Sequence, residues 1–224
     1  MGILDSIFRD NNFPPLVSEA SDEIHAMVKT GRNMFASATG YLLENEVLED
    51  DLGKMDELIN NGEQRIRLVV FEHLSLNPEQ DLIYCLKLIS IVNEAERIGD
   101  LAKSIAKVAD LAKQPRMGRL VMPLREFRNM VLQMFMRLEE GFFKGNEDEA
   151  QLIMQTHQNL KKEVAAYIAR LADEEDLTGN EGVVYALSAR MLNRVSAHIA
   201  NLASTVVSPI DQIRRTAAWP EEDE

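Results

Sequence analysis

The chain contains a single cysteine, Cys85, so no disulfide can form within it, and its cysteine usage fits a reducing compartment. Aromatic residues are scarce, at 6% against 46% hydrophobic residues overall. The apolar content is carried by Leu, Ala, Met, Ile and Val, a set that suits helices packed on helices rather than a β-sandwich. No strand-like alternation of apolar and polar residues interrupts that pattern. The longest apolar run, LIYCLKLISIV at 82–92, falls far short of the ~20 residues a membrane span needs. Cys85 lies within this run and reads as a core residue. The N-terminus lacks the basic region and long apolar block of a signal peptide, so a soluble, cytoplasmic protein is expected.

Positive charge is also in short supply. With 24 basic and 37 acidic residues the net charge is −13, and the mean field repels nucleic acid and anionic lipid. The glycines form no phosphate-binding loop, and no Gly-x-Ser-x-Gly elbow is present. None of the four histidines, His25, His73, His157 and His198, follows a Glu by three residues, as the ligand sets of di-metal helical bundles require. No convincing nucleophile and base are left, and the chain is read as non-enzymatic.

What remains is strong helical periodicity. Six helices are predicted. The first follows Pro14 and Pro15, with Ser18 and Ser21 as candidate caps, and runs to about residue 45 with Ile24, Val28, Gly31, Phe35, Ala38 and Leu42 inward. The second spans about 51–73, and the third starts after Asn77 and Pro78 and runs to about 113. QPRMG at 114–118 breaks the pattern. The fourth helix ends near 144, the fifth opens at GNEDE and ends near 176, and the sixth follows LTGNEG and runs to about 208, before Pro209. Met27, Met34, Met130 and Met134 at helical spacing read as core. The expected fold is all-α, two tandem antiparallel three-helix bundles, with repeats at 1–115 and 116–224, the latter ending in a short acidic tail.

The two halves read as copies. Setting Glu96 on Asn193, 97 positions later, brings Ala95, Ile98, Ala102, Ile105 and Ala109 onto Leu192, Val195, Ile199, Leu202 and Val206, all apolar. The polar face diverges: Asn193 replaces Glu96 and Ala197 replaces Asp100. In the first copy, NEAERIGDLAKSIAKVA at 93–109, Glu96 and Asp100 stand one helical turn apart on the face that also carries Asn93, Lys103 and Lys107. Two such carboxylates can offer oxygen ligands to a hard cation, with Asp56, Asn60 and Glu63 as a comparable stripe on helix two. The competing reading is a solvated face, since Asp100 and Lys103 form an ordinary i,i+3 ion pair worth ~0.2–0.5 kcal/mol. Gly99 lies in the apolar half, where a missing side chain admits a neighbouring helix.

The block Glu96, Arg97, Ile98, Gly99, Asp100, followed by Ile105 and Ala106, resembles the signature of the PhoU family of phosphate-uptake regulators, and Asp56, Asn60 and Glu63 resemble its upstream pattern. The resemblance implies a regulator of phosphate transport or phosphate signalling that works through protein contacts. It implies a metal ion (iron, zinc, manganese or similar) at Glu96, Asp100, Glu63 and Asp56. It also implies two kinds of partner, the ATPase of a phosphate ABC transporter and a phosphate-sensing histidine kinase. A homodimer with acidic surfaces is expected. The alternatives are an accessory regulator of a sodium-coupled or other phosphate carrier, a metal-binding helical enzyme or storage protein, and a helical adaptor unconnected with phosphate.

Overall fold

A computed structural model describes residues 15–76 and 82–207. Its helices are α1 (Pro15–Leu43), α2 (Leu52–Leu76), α3 (Leu82–Asp110), α4 (Met122–Leu138), α5 (Glu147–Ala172) and α6 (Gly179–Val207), and a π turn, Glu139–Phe143, extends α4. There is no strand among the described residues. The fold is the all-α, two-bundle arrangement expected. Helix α1 begins at Pro15, so Ser18 and Ser21 lie inside it rather than at its cap. The expected start of α3 at Asn77 and Pro78 and the end of α6 at Ser208 and Pro209 fall outside the described residues.

The helix boundaries follow from local chemistry. Asn146 caps α5 by accepting from the Glu149 amide at 3.2 Å, and Glu147, Asp148 and Glu149 in the first turn face the positive end of the helix dipole. Thr178 and Glu181 form a reciprocal capping box on α6. The Glu181 amide donates to Thr178 Oγ1, and the Thr178 amide donates to Glu181 Oε2, each at 3.2 Å. The end of α1 turns through Asn45 at φ +58°. Its last carbonyls, Tyr41 O and Leu42 O, accept from the Arg116 guanidinium at 2.5 and 2.6 Å, while Asn45 Oδ1 accepts from the Arg116 amide. The QPRMG segment is therefore pinned to α1 by groups that a helix end leaves unsatisfied.

Helices α1–α3 form one bundle and α4–α6 the other, and a single apolar core runs through both. Met27, Met34 and Met134 are buried in it with Cys85, while Met130 is half-buried. The six seam residues Ala95, Ile98, Ala102, Leu192, Val195 and Ile199 are all fully buried. Helices α3 and α6 join the halves and run antiparallel. Asn180, at the start of α6, bonds Leu111 O and the Lys113 amide beyond the end of α3, and His198 and Asn201 meet Glu94. A smaller contact joins α1 to α4, where Phe35 and Phe135 pack with ring centroids 5.6 Å apart.

Two glycines mark close approaches of different kinds. A β-carbon at Gly99 would lie 2.8 Å from Ile59 Cδ1, the mobile tip of a side chain on α2. One at Gly141 would lie 3.0 Å from the Ala150 amide nitrogen and 3.2 Å from the Glu149 carbonyl carbon, which are backbone at the start of α5. For Gly99→Ala, the helix-propensity gain of about 1 kcal/mol offsets a shifted Ile59 rotamer, so stability should stay within about 1 kcal/mol of the parent. For Gly141→Ala the clash is with rigid backbone, and a loss of about 1–3 kcal/mol is expected. Urea denaturation of the two variants followed by circular dichroism checks the contrast.

Candidate functional site

The outer face of α2 and α3 gathers all four carboxylates singled out from the sequence, and an ammonium group that organises them. Gly99 lets α2 come close enough for Asp56 to lie against α3. Asp56 is buried, and its Oδ2 accepts from Lys103 Nζ at 2.6 Å and Asn60 Nδ2 at 3.0 Å. Lys103 Nζ also lies 3.0 Å from Asp100 Oδ1, while Arg97 Nη1 donates to Asp100 Oδ2 at 3.0 Å. Glu63, on α2, bonds Arg67 at 2.7 Å one turn along its own helix. Glu96 has Arg97 Nε 3.3 Å from its Oε2, but this buried oxygen accepts no hydrogen bond.

These contacts divide the carboxylates into two kinds. Burial pushes the Glu96 carboxyl up to about 7, helped by the charge of Asp100, a hydrogen bond to it, and the charge of Glu63, against a downward pull from Arg97. Burial acts the same way on Asp100. There it is outweighed by hydrogen bonds from Lys103 and Glu96 and by the charges of Lys103 and Arg97, and the group is held below the usual carboxylate range. Burial alone would lower Lys103, yet bonds to Asp56 and Asp100 raise it, so it stays a cation. The result is a Glu96 that holds its proton more tightly than Asp100 does, beside an ammonium clamped between two helices. Among the described residues no three His, Cys, Asp or Glu side chains are arranged to hold a metal ion. The centre between Asp56 and Asp100 is filled by Lys103.

The second half has no counterpart of this cluster. Matching the buried series Ile59, Gly62 and Ile66 to His157, Leu160 and Val164 puts Met154, Gln158 and Lys161 where Asp56, Asn60 and Glu63 stand, opposite Asn193 and Ala197. The crossing itself survives in another chemistry. His157 takes the place of Ile59 and Ser196 that of Gly99, and their Nδ1 and Oγ lie 2.8 Å apart. Burial drives the His157 imidazole down to about 4, with Lys161 adding to the effect, so it is a neutral core histidine and not a ligand.

Sequence reasoning missed a second polar group. Glu94 is buried, and its Oε2 lies 2.8 Å from both His198 Nδ1 and Asn201 Nδ2 across the seam between α3 and α6. The signal was present in Leu101 and Val108, seven and fourteen residues further on. Both are buried on the same side of α3 and define a third inward face.

Fold and cluster together define a two-repeat helical protein in which the first repeat alone keeps the charged motif. Comparison with known proteins gives that class a name. A model of the PhoU domain matches residues 18–109, which is α1 to α3. The chain is 25% identical over 170 residues to the phosphate-specific transport system accessory protein PhoU homolog 1 of Thermotoga maritima, covering 74% of this chain and 72% of that one. The crystal structure of PhoU from Pseudomonas aeruginosa superposes with a TM-score of 0.78, and that of the phosphate transport system regulatory protein PhoU from Streptococcus pneumoniae with 0.70. Each is 21% identical and matches 86% of this chain and 95% of its own. Residues 18–109 thus match the PhoU domain, and the chain as a whole is similar in fold to PhoU proteins.

The raised Glu96 makes a pH test available. A carboxyl whose folded pKa lies above its unfolded value favours folding below the unfolded value and loses that contribution as pH rises through the folded one. The cost of ionising Glu96 therefore grows between about pH 4.5 and about pH 7. Glu96→Gln should gain stability relative to the parent, by about 1 kcal/mol at pH 8 after allowance for solvent screening, and little or nothing at pH 4. Urea unfolding of both proteins at the two pH values measures the difference.

Proposed function

We propose that this protein is a non-enzymatic regulator of phosphate transport that works by binding another protein, the ATPase of a phosphate ABC transporter. The PhoU domain and the curated relative, named for a phosphate-specific transport system, support the assignment to phosphate transport. The observation that carries the contact mechanism is the outer surface of α2. Leu58, Leu68 and Phe71 are exposed there by 62%, 56% and 68%, along the helix that bears Asp56 and Glu63. The positions that match them on α5 are Thr156, Ala166 and Ala169. The repeat scaffold therefore does not need large apolar groups at these places, and their presence on one copy fits a binding surface. No described helix is long and apolar enough to cross a membrane.

Affinity capture of the transporter ATPase by the full chain, under phosphate-rich and phosphate-poor conditions, tests this. Capture should depend on phosphate supply and fall at least tenfold for Leu68→Ser/Phe71→Ser. With a net charge of −13 steering a basic partner surface, association should slow as salt rises. Capture unaffected by the substitutions would assign contact elsewhere, and a change from dimer to monomer would assign the face to self-association.

For the carboxylate cluster we propose that Lys103 is the resident cation and that a divalent metal enters only when its ammonium is displaced. The Glu96 oxygen that accepts no hydrogen bond and the gathering of Asp56, Asp100 and Glu63 on one face support such a site, while the 2.6 Å bond from Lys103 to Asp56 and the lack of a ready three-ligand arrangement among the described residues oppose it. Metal analysis of chelator-free protein should show more bound iron, zinc or manganese in Lys103→Met than in the parent, and none in Lys103→Met/Glu96→Gln/Asp100→Asn. Equal metal content in all three would remove the cluster from consideration.

A further inference from the structure

Helices α1 and α4 are equivalent elements of the two repeats and cross antiparallel. The buried series Val28, Gly31, Phe35, Ala38 and Leu42 matches Leu124, Phe127, Val131, Met134 and Leu138, each 96 positions later. On this match Lys29 and Arg32 correspond to Arg125 and Arg128, and Glu44 corresponds to Glu140. At one end of the crossing the charges close on each other. Glu44 Oε2 lies 2.9 Å from Arg125 Nη2, and its Oε1 accepts from Arg128 Nη1 at 2.7 Å. At the other end Glu140 accepts from Lys144, just past the π turn, at 2.5 Å. Lys29 and Arg32 are exposed, and neither has an ion-pair partner among the described residues. The remaining carboxylate nearby, Glu139, is engaged by His25 Nε2 at 3.0 Å, and the His25 ring packs on Phe143 with centroids 4.4 Å apart.

These residues surround a cavity of about 290 Å³ between α1 and the π turn, with Val28, Phe135, Leu138 and Phe143 as apolar wall and Lys29 and Arg32 among its lining. In a chain of net charge −13, two adjacent cations that form no ion pair among the described residues are a local exception, since the one carboxylate lining the cavity, Glu139, is paired with His25. The π turn, a distortion frequent at functional sites, brings both Glu139 and Phe143 to this cavity.

We propose that the cavity binds a small organic dianion, a phosphomonoester carried on an apolar or aromatic body. Its phosphate bridges Lys29 and Arg32 as the Glu44 carboxylate bridges Arg125 and Arg128 in the related half. A phosphomonoester carries about −1.5 to −2 at neutral pH, which matches the two cations, and the guanidinium fork suits its oxygens. The volume approaches the lower end of ligand pockets, about 300 Å³, and exceeds what bare orthophosphate would fill. The apolar wall takes the organic body. This inference stands apart from the transporter contact, which lies on α2.

Isothermal titration of the full chain with adenosine 5′-monophosphate, adenosine and orthophosphate tests it. One saturable monophosphate site is expected, at least tenfold tighter than for adenosine or orthophosphate. It should weaken at least tenfold in Lys29→Gln/Arg32→Gln and be unchanged in Lys107→Gln/Lys162→Gln, which removes the same charge from exposed positions elsewhere. Circular dichroism confirms that both variants are folded. No saturable binding at millimolar monophosphate overturns the proposal. So does equal loss in both double variants, retention in the first, or orthophosphate binding as tight as the ester.

Discussion

Everything in this molecule is arranged around the need to bury α3 on three sides. It packs on α1 through Gly31 and Ile98, on α2 through Gly99 and Ile59, and on α6 along the seam where Glu94 meets His198 and Asn201. A helix so enclosed cannot carry large side chains everywhere, and Ala95, Ala102, Ala106 and Ala109 are the consequence. The alanines also favour the helix itself, so local propensity and tertiary packing ask for the same residues. The buried Glu94 is the exception. A carboxylate taken out of water is tolerated only with donors in place, and two of them come from the opposite half. The seam thus combines unspecific apolar contact with a polar contact that fixes which residues stand opposite which.

The same crossing of outer and central helix is solved differently in the two halves. In the first, glycine against isoleucine brings the helices together and leaves the acidic cluster at the rim, where Lys103 compensates the charge. In the second, a serine hydroxyl meets a neutral histidine and the rim holds no carboxylate at the matched positions. Geometry is preserved while the electrostatics change from charged and partly exposed to neutral and buried. The scaffold does not require the cluster, and its persistence in one copy separates its role from that of the fold.

Much of this was legible from the residues. Apolar spacing placed all six helices, because amphipathic helices repeat their inward residues on a period that the sequence displays directly. The internal copy was legible because the apolar series of α3 and α6 superposes without a gap. The four carboxylates could be named, but not their central cation. Helical spacing predicted the Lys103 contact to Asp100 on its own helix, while the shorter bond to Asp56 depends on how closely α2 approaches. Glu94 stayed hidden for a related reason: a two-faced reading treats a charged residue as outward, and α3 has three inward faces. The π turn was invisible because it has no periodic signature, and neither has the close approach of Gly141 within it to the backbone of α5.

The antiparallel pairing of α3 with α6 has its midpoint at the level of residues 97–98 opposite 194–195, so each helix presents to the other nearly the stretch the other presents to it. That is the geometry of an isologous interface, normally found between two separate copies of one subunit. Here the twofold partner is supplied in the same polypeptide, through the eleven-residue connection 111–121 pinned at Arg116. Tethering removes the obligation that both partners be identical. Once both need not serve the same end, one copy is free to keep a charged rim and an apolar outer helix while the other becomes chiefly its support.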